Sequence, residues 1–149
     1  MTQKEKELFL KDLCGRIPYN IKFNFCNNTY VMTGIRLFVT DDCGWDYGVT
    51  SKDISEPVEI GFIKPYLRSM SSMTDEERED IKRITGCGCV GNDGLQYTVG
   101  GCVDYDTLEI DFNDLQELLA YLNAHHLDYR GLIDKGLAVE APEGTYNIK

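Results

Sequence analysis

At Ile21 the apolar spacing of the chain changes from a helical period to a strand period, and this switch limits the fold most. Upstream, Phe9, Leu10, Leu13 and Ile17 recur on one side at helical spacing, with Cys14 beside them. Thr2 with Glu5 three residues on has the spacing of a capping box, so the first helix is expected to start there. Gly15 and Pro18 are expected to stop it, one by accepting a left-handed conformation and the other by lacking an amide hydrogen. From Ile21 onward, Ile21, Phe23 and Phe25 alternate with Lys22 and Asn24, as in a half-buried strand. Asn27-Asn28 suits a tight turn, and residues 30–33 and 35–40 are β-branched and aromatic, with Gly34 marking a bend between them.

The rest of the chain repeats this segregation. Residues 41–57 form a polar, acidic connection, 58–63 return to strand character, and 64–73 read as a linker with turn chemistry. Thr74 and Glu77 make the strongest helix start, but only Ile81 and Ile84 recur apolar behind it, which predicts a surface helix over 74–85. Residues 86–106 are rich in glycine and cysteine and resemble an insertion of tight turns and short strands. After an alternating stretch at 108–112, an amphipathic helix is expected over 112–126, with Asp111 as its cap. A second short helix is expected over 128–135, with Asp128 as cap and Gly136 just past its end. The pattern predicts one α+β domain over 1–149. It would hold an antiparallel sheet of about four to five strands, with an N-terminal helix and C-terminal helices packed on one face or end.

The net charge of −10 disfavours direct contact with a phosphate backbone, which needs clustered Lys and Arg. Lys64, Arg68, Arg78, Lys82 and Arg83 are interleaved with Asp75, Glu76, Glu77, Glu79 and Asp80, so they read as a solvated helix face. The polar start of the chain and the lack of a long apolar run predict a cytoplasmic protein with no membrane span. In that compartment the six cysteines are expected to be reduced thiols.

Candidate chemistry is sparse. Projected from Leu115 along the helix, His126 falls about 20° to one side of the apolar stripe and His125 about 80° to the other. The two rings therefore diverge, and they lack the i,i+4 spacing of a helical metal clamp. His126 is expected against the core and His125 near the helix C-terminus, where a protonated ring suits the dipole. Cys87, Cys89 and Cys102 could surround a metal ion, with Cys43 or a histidine as fourth ligand. A single residue between the first two is tighter than the Cys-x₂₋₄-Cys of zinc knuckles, so no metal or other cofactor is expected. The acidic loop Asp41-Asp42-Cys43-Gly44-Trp45-Asp46 lacks the order of an EF-hand, which leaves Trp45 as a packing anchor or interaction residue. No phosphate-binding glycine loop and no nucleophile elbow occurs. Arg130, between Tyr129 and Gly131, is expected in a buried ion pair or at an interaction surface.

Ile63-Lys-Pro-Tyr-Leu-Arg-Ser-Met-Ser-Ser-Met-Thr-Asp-Glu-Glu77 and Leu122-Asn-Ala-His-His-Leu-Asp-Tyr-Arg-Gly-Leu-Ile-Asp-Lys-Gly-Leu-Ala-Val-Glu-Ala-Pro-Glu-Gly144 are long and distinctive. With Leu10-Lys-Asp-Leu-Cys-Gly-Arg-Ile-Pro-Tyr19, they resemble signatures of a family of small proteins from gut bacteria and their phages or mobile elements. No activity is assigned to that family, so the resemblance implies a context and carries over no catalytic residue. The expected function is a non-enzymatic interaction or accessory module with a protein partner, in one form an acidic inhibitor imitating nucleic acid. The competing expectation is a small hydrolase or metal-dependent enzyme using His125, Asp128 and a cysteine.

Overall fold

The computed structural model of the protein describes residues 1–39, 44–85, 88–91, 94–97 and 112–146. The fold class is α+β. The span 1–149 comprises two compact units, one of Met1–Leu67 with Arg130–Lys149 and the other of Arg68–Tyr129.

The first unit begins with helix α1 (Gln3–Arg16), closed at its N-terminus by the expected Thr2–Glu5 capping box. Its end differs from the expectation. Gly15 stays helical, Pro18 sits at the start of a 3-10 turn (Ile17–Tyr19), and Asn20 takes the left-handed conformation at φ 56°. Proline suits the first turn of such a segment because its missing amide would have had no partner there. Strands β1 (Lys22–Phe25) and β2 (Asn28–Val31) follow as a hairpin. Its two central residues are Cys26 and Asn27, both at positive φ, one position earlier than the Asn27-Asn28 turn read from sequence. The register explains the shift, because Asn28 pairs with Phe25 and cannot lie in the turn.

Strand β3 (Gly34–Val39) pairs antiparallel with β4 (Trp45–Thr50), which pairs in turn with β5 (Val58–Glu59). Residues 64–67, expected in a linker, form β6 (Lys64–Leu67) between β1 and the late strand β9 (Val139–Glu140). Pro65 is tolerated because β6 meets β1 through residues 64 and 65 but meets β9 through Tyr66 and Leu67. The strands of this unit thus divide into a sheet of order β2-β1-β6-β9, with β6–β9 parallel, and a sheet of order β3-β4-β5.

The core of the unit gathers Phe9 and Leu13 from α1, Ile21, Phe23, Met32, Val49, Val58 and Leu67 from the strands and their flanks, and Leu132, Leu137 and Ala138. Leu132 comes from the stretch expected as a helix over 128–135, which is instead a series of turns, and Leu137 and Ala138 follow directly after it. Gly136 nevertheless ends it at φ 67°, with its amide on Ile133 O and the Leu137 amide on Leu132 O, the paired bonds of a Schellman motif. Two side chains on the buried face of α1 are charged. Arg16 donates from Nε and Nη2 to the two oxygens of Asp12 at 2.7 and 2.9 Å, and both residues are fully buried. Arg130 brings its Nε to 3.4 Å from Asp12 Oδ1, which places it in the ion pair expected of it.

In the second unit, helix α2 (Asp75–Thr85) packs with α3 (Phe112–Ala124) around Met70, Met73, Ile81, Leu118, Leu122 and Leu127, and β7 (Gly88–Gly91) pairs with β8 (Gly94–Tyr97). The helix expected at the surface therefore buries Ile81 completely. Helix α3 stops at Ala124, two residues short of the expected 126. His126 is left-handed at φ 55°, its amide bonded to Asn123 O, while the Leu127 amide reaches Leu122 O. This too is a Schellman end, with a histidine where glycine is usual, and it is closed by contact of two buried leucines. Among the described residues no helix is long and apolar enough to cross a membrane.

The Asp12 cluster makes a testable claim. Asp12→Ala strands Arg16 without its carboxylate in the core and is expected to cost roughly 3–5 kcal/mol, measured by urea unfolding. Asp12→Leu combined with Arg16→Met should recover most of that loss, because it removes both fully buried charges and leaves only Arg130, which is partly exposed to water.

Candidate functional site

Two stretches of the second unit, 68–77 and 125–128, meet at Arg68. Its backbone amide donates to His126 O and its carbonyl accepts from the Asp128 amide, both at 2.8 Å, forming a parallel bridge to Leu127. Its guanidinium then reaches Glu77 with two bonds, Nη1 to Oε1 at 2.7 Å and Nη2 to Oε2 at 3.0 Å. The same two nitrogens also donate to His125 O and Ser72 O.

Glu77 is nearly buried and holds further partners. It closes the capping box of α2, accepting from the Thr74 amide at 2.8 Å while its own amide reaches Thr74 Oγ1 at 3.2 Å. His125 Nδ1 lies 2.8 Å from Glu77 Oε1, and its ring stacks on Tyr121 with centroids 4.1 Å apart. Tyr121 donates in turn to Asp80 Oδ2 at 3.2 Å, and Arg83 pairs with the other oxygen of Asp80. Burial works to raise the pKa of Glu77, but bonds from Arg68, the Thr74 amide and His125 overcome it and hold the value at about 2. Burial pushes the Tyr121 phenol up, and the neighbouring Asp80 carboxylate adds to that.

This cluster can orient an imidazole, but its charges are internally matched. The bidentate guanidinium neutralises the carboxylate that faces the ring, and among the described residues the ring bonds Glu77 and stacks on Tyr121. Its geometry ties the end of α3 to the start of α2. Asp128, the other named catalytic candidate, is buried, and its amide serves the bridge to Arg68. Cys87 and Cys102 lie outside the described residues, as do Asp41, Asp42, Cys43 and Asp111. So do the side chains of Cys89 in β7 and Trp45 in β4. Cys14 and Cys26 are free, exposed thiols. Among the described residues no cluster of three or more His, Cys, Asp or Glu could hold a metal ion.

Sequence reasoning placed Arg68 on a solvated basic face, and the structure corrects this: it is mostly buried and ion-paired. Its partner was legible only as a helix cap. Asp12 and Arg16 were missed too, although their i,i+4 spacing beside Phe9 and Leu13 was a readable signal. A cavity of about 290 Å³ in the first unit is lined by Glu5, Gly61, Ile63, Lys64, Lys135 and Leu137, among others. Glu5 already caps α1, and Lys135 Nζ donates to the carbonyls of Arg130 and Gly131.

Among the described residues, the large apolar side chains exposed on a regular sheet lie on β3 and β4. Ile35, Val49 and Val58 form a row across all three strands of their sheet and pack in the core. On the same face, Leu37 pairs with Tyr47, beyond the reach of the two-residue β5, and Val39 follows. Leu37, Val39 and Tyr47 are 53%, 55% and 40% exposed.

Compared with known proteins, the chain matches no family model, no curated protein and no solved structure.

The Glu77 carboxylate links this site to pH. Its folded value of about 2 lies below the ordinary 4.5, so the ionised group stabilises the fold above pH 4.5. That contribution, on the order of 3 kcal/mol, is lost as the pH falls through about 2. Urea midpoints measured between pH 2 and 6 should therefore fall steeply on the acid side, and Glu77→Gln should flatten that limb while lowering stability at neutral pH.

Proposed function

We propose that the protein is a non-enzymatic, cytoplasmic interaction module that binds a protein partner, in the mobile-element setting that the resemblance implies. The observation that carries this reading is the exposed apolar end of the β3–β4 ribbon, Leu37, Val39 and Tyr47. Isolated exposed leucines are ordinary, but three large apolar side chains contiguous on one sheet face mark an interaction surface. The acidic balance of the chain selects the partner's charge: a carboxylate-rich surface attracts basic proteins and repels nucleic acid. An inhibitor that occupies a basic protein in place of nucleic acid is one form of this function.

The enzymatic alternative used His125 with Asp128 and a cysteine. His125 is oriented by Glu77, whose charge Arg68 already satisfies, and this arrangement favours a structural role for the ring.

The test is recovery of a partner from host lysate on the immobilised protein at low ionic strength. A specific protein should be retained, released by high salt, and lost with Leu37→Glu/Val39→Glu, while His125→Ala leaves its recovery unchanged. Equal recovery on the wild type and the double variant would remove the β3–β4 surface from the reading.

A further inference from the structure

From the β3–β4 ribbon we infer that two copies of this chain pair through the outer edges of their β3 strands, antiparallel and about a two-fold axis at Leu37. This rests on the reading of Leu37, Val39 and Tyr47 as an interaction surface and names a second copy as what covers them. The acidic remainder of the paired chain is left for the basic partner.

β3 is the terminal strand of its sheet, and among the described residues no strand pairs with its outer side. Such an edge presents a row of amides and carbonyls that another extended chain satisfies. Lysine, proline or a bulge guards edges that stay single. β3 runs six residues, Gly-Ile-Arg-Leu-Phe-Val, with no lysine and no proline.

The strand is complementary to itself in one register. With the axis through Leu37, that residue meets Leu37 of the second copy, and Ile35 meets its Val39 on the same face. The core row Val58, Val49 and Ile35 then runs on into Val39 of the other copy. Tyr47, Leu37 and their counterparts form a second apolar row across four strands, so the exposed Leu37 and Val39 each gain an apolar neighbour. On the opposite face each Arg36 lies across from Phe38 of the other copy, where a guanidinium and its stem pack on a ring. Moving the axis to Arg36 sets two guanidinium groups against each other, and moving it to Phe38 leaves Ile35 with no partner within β3.

Charge does not oppose this contact at the edge itself. Asp46 is paired with Lys6, Glu59 lies on β5 at the far edge of the sheet, and Asp53 and Glu56 belong to the connection between β4 and β5. The net charge of −10 on each copy repels at longer range, a term that salt screens while the strand contact stays intact.

Area sets the strength. Leu37, Val39 and Tyr47 are each roughly half exposed, and with the stem of Arg36 and the edge backbone each copy buries on the order of 500 Å². A standard interface takes about 800 Å² from each partner, so this one belongs with weak, concentration-dependent pairs. About four to six main-chain hydrogen bonds fix its geometry.

The test is sedimentation equilibrium of the full chain over a wide concentration range. A reversible monomer–dimer equilibrium is expected, strengthened as salt is raised and at least ten-fold weaker with Leu37→Lys/Val39→Lys. The register is read without substitution from a mixture of equal parts ¹³C-labelled and unlabelled chain, in which NOEs between labelled and unlabelled methyls arise only across copies. Such NOEs should connect Ile35 with Val39 and Leu37 with Leu37. A chain that stays monomeric at millimolar concentration, a dimer that the double variant leaves intact, or cross-copy NOEs that join other residues would overturn the proposal. If a lysate partner is retained through Leu37 and Val39 while the pure chain stays monomeric, the second-copy inference fails and the interaction reading stands. A dimer with these contacts and no retained partner upholds the inference and removes the basic partner. A monomer that retains no partner removes both.

Discussion

Arg68 is the residue on which the second unit depends. The chain leaves the first unit at Leu67 and returns to it at Arg130, so everything between is a long excursion that must be closed where it begins. Closing such a loop costs entropy that local contacts cannot recover until the ends meet. Arg68 makes them meet with two backbone bonds to 126–128 and a guanidinium that fastens Glu77, His125 O and Ser72 O. A lysine could supply the charge but not the fork that holds both oxygens of Glu77 while reaching two carbonyls. The cap of α2 and the left-handed end of α3 are thereby joined in one network, since Glu77 closes the first and His126 forms the second.

The first unit is built on the same device in a more buried form. Asp12 and Arg16 face the core from α1, and Arg130 approaches them from the returning chain. Taking such charges out of water is costly, and apolar residues of similar volume would serve stability as well or better. What the ion pair adds is direction: Asp12 presents two oxygens in a fixed plane, so the approach of Arg130 is fixed in position as well as in distance. Tyr146 does a related task at the sheet. Its hydroxyl donates to Tyr66 O and accepts from the Lys22 amide, which holds the residues after β9 against β1 and β6.

What could be read from sequence follows the range of the forces involved. The α1 and α2 capping boxes, the β1–β2 hairpin and the break before Gly34 are set within a few residues, and all were legible. The hairpin turn was misplaced by one because Cys26 in a left-handed conformation has no propensity signal, and only the pairing of Phe25 with Asn28 dictates it. β6 and β9 were invisible for a different reason: each is short and gains its shape from partners far along the chain. The expected helix at 128–135 failed where Leu132 within it and Leu137 just past it were drawn into the core by turns that a helix cannot make. Helical projection of the two histidines lost its meaning at Ala124, because beyond that residue no helix remains to project. Arg68 was misread by the same logic. Its charged neighbours in sequence suggested solvent, while its true partners lie at 72, 77 and 125–128.

These internal ion pairs also change what the surface offers. Arg16 and Arg68 are committed to carboxylates inside their units. Lys6 is paired with Asp46, Lys82 with Glu79, Arg83 with Asp80, and Lys135 with two backbone carbonyls. A phosphate-binding surface needs cations that lose little by turning toward the ligand, and these would each have to abandon a partner first. The carboxylates are in the opposite position, since many more of them exist than cations to satisfy them. An acidic chain that spends its arginines on holding itself together leaves a surface more one-sided than its composition suggests.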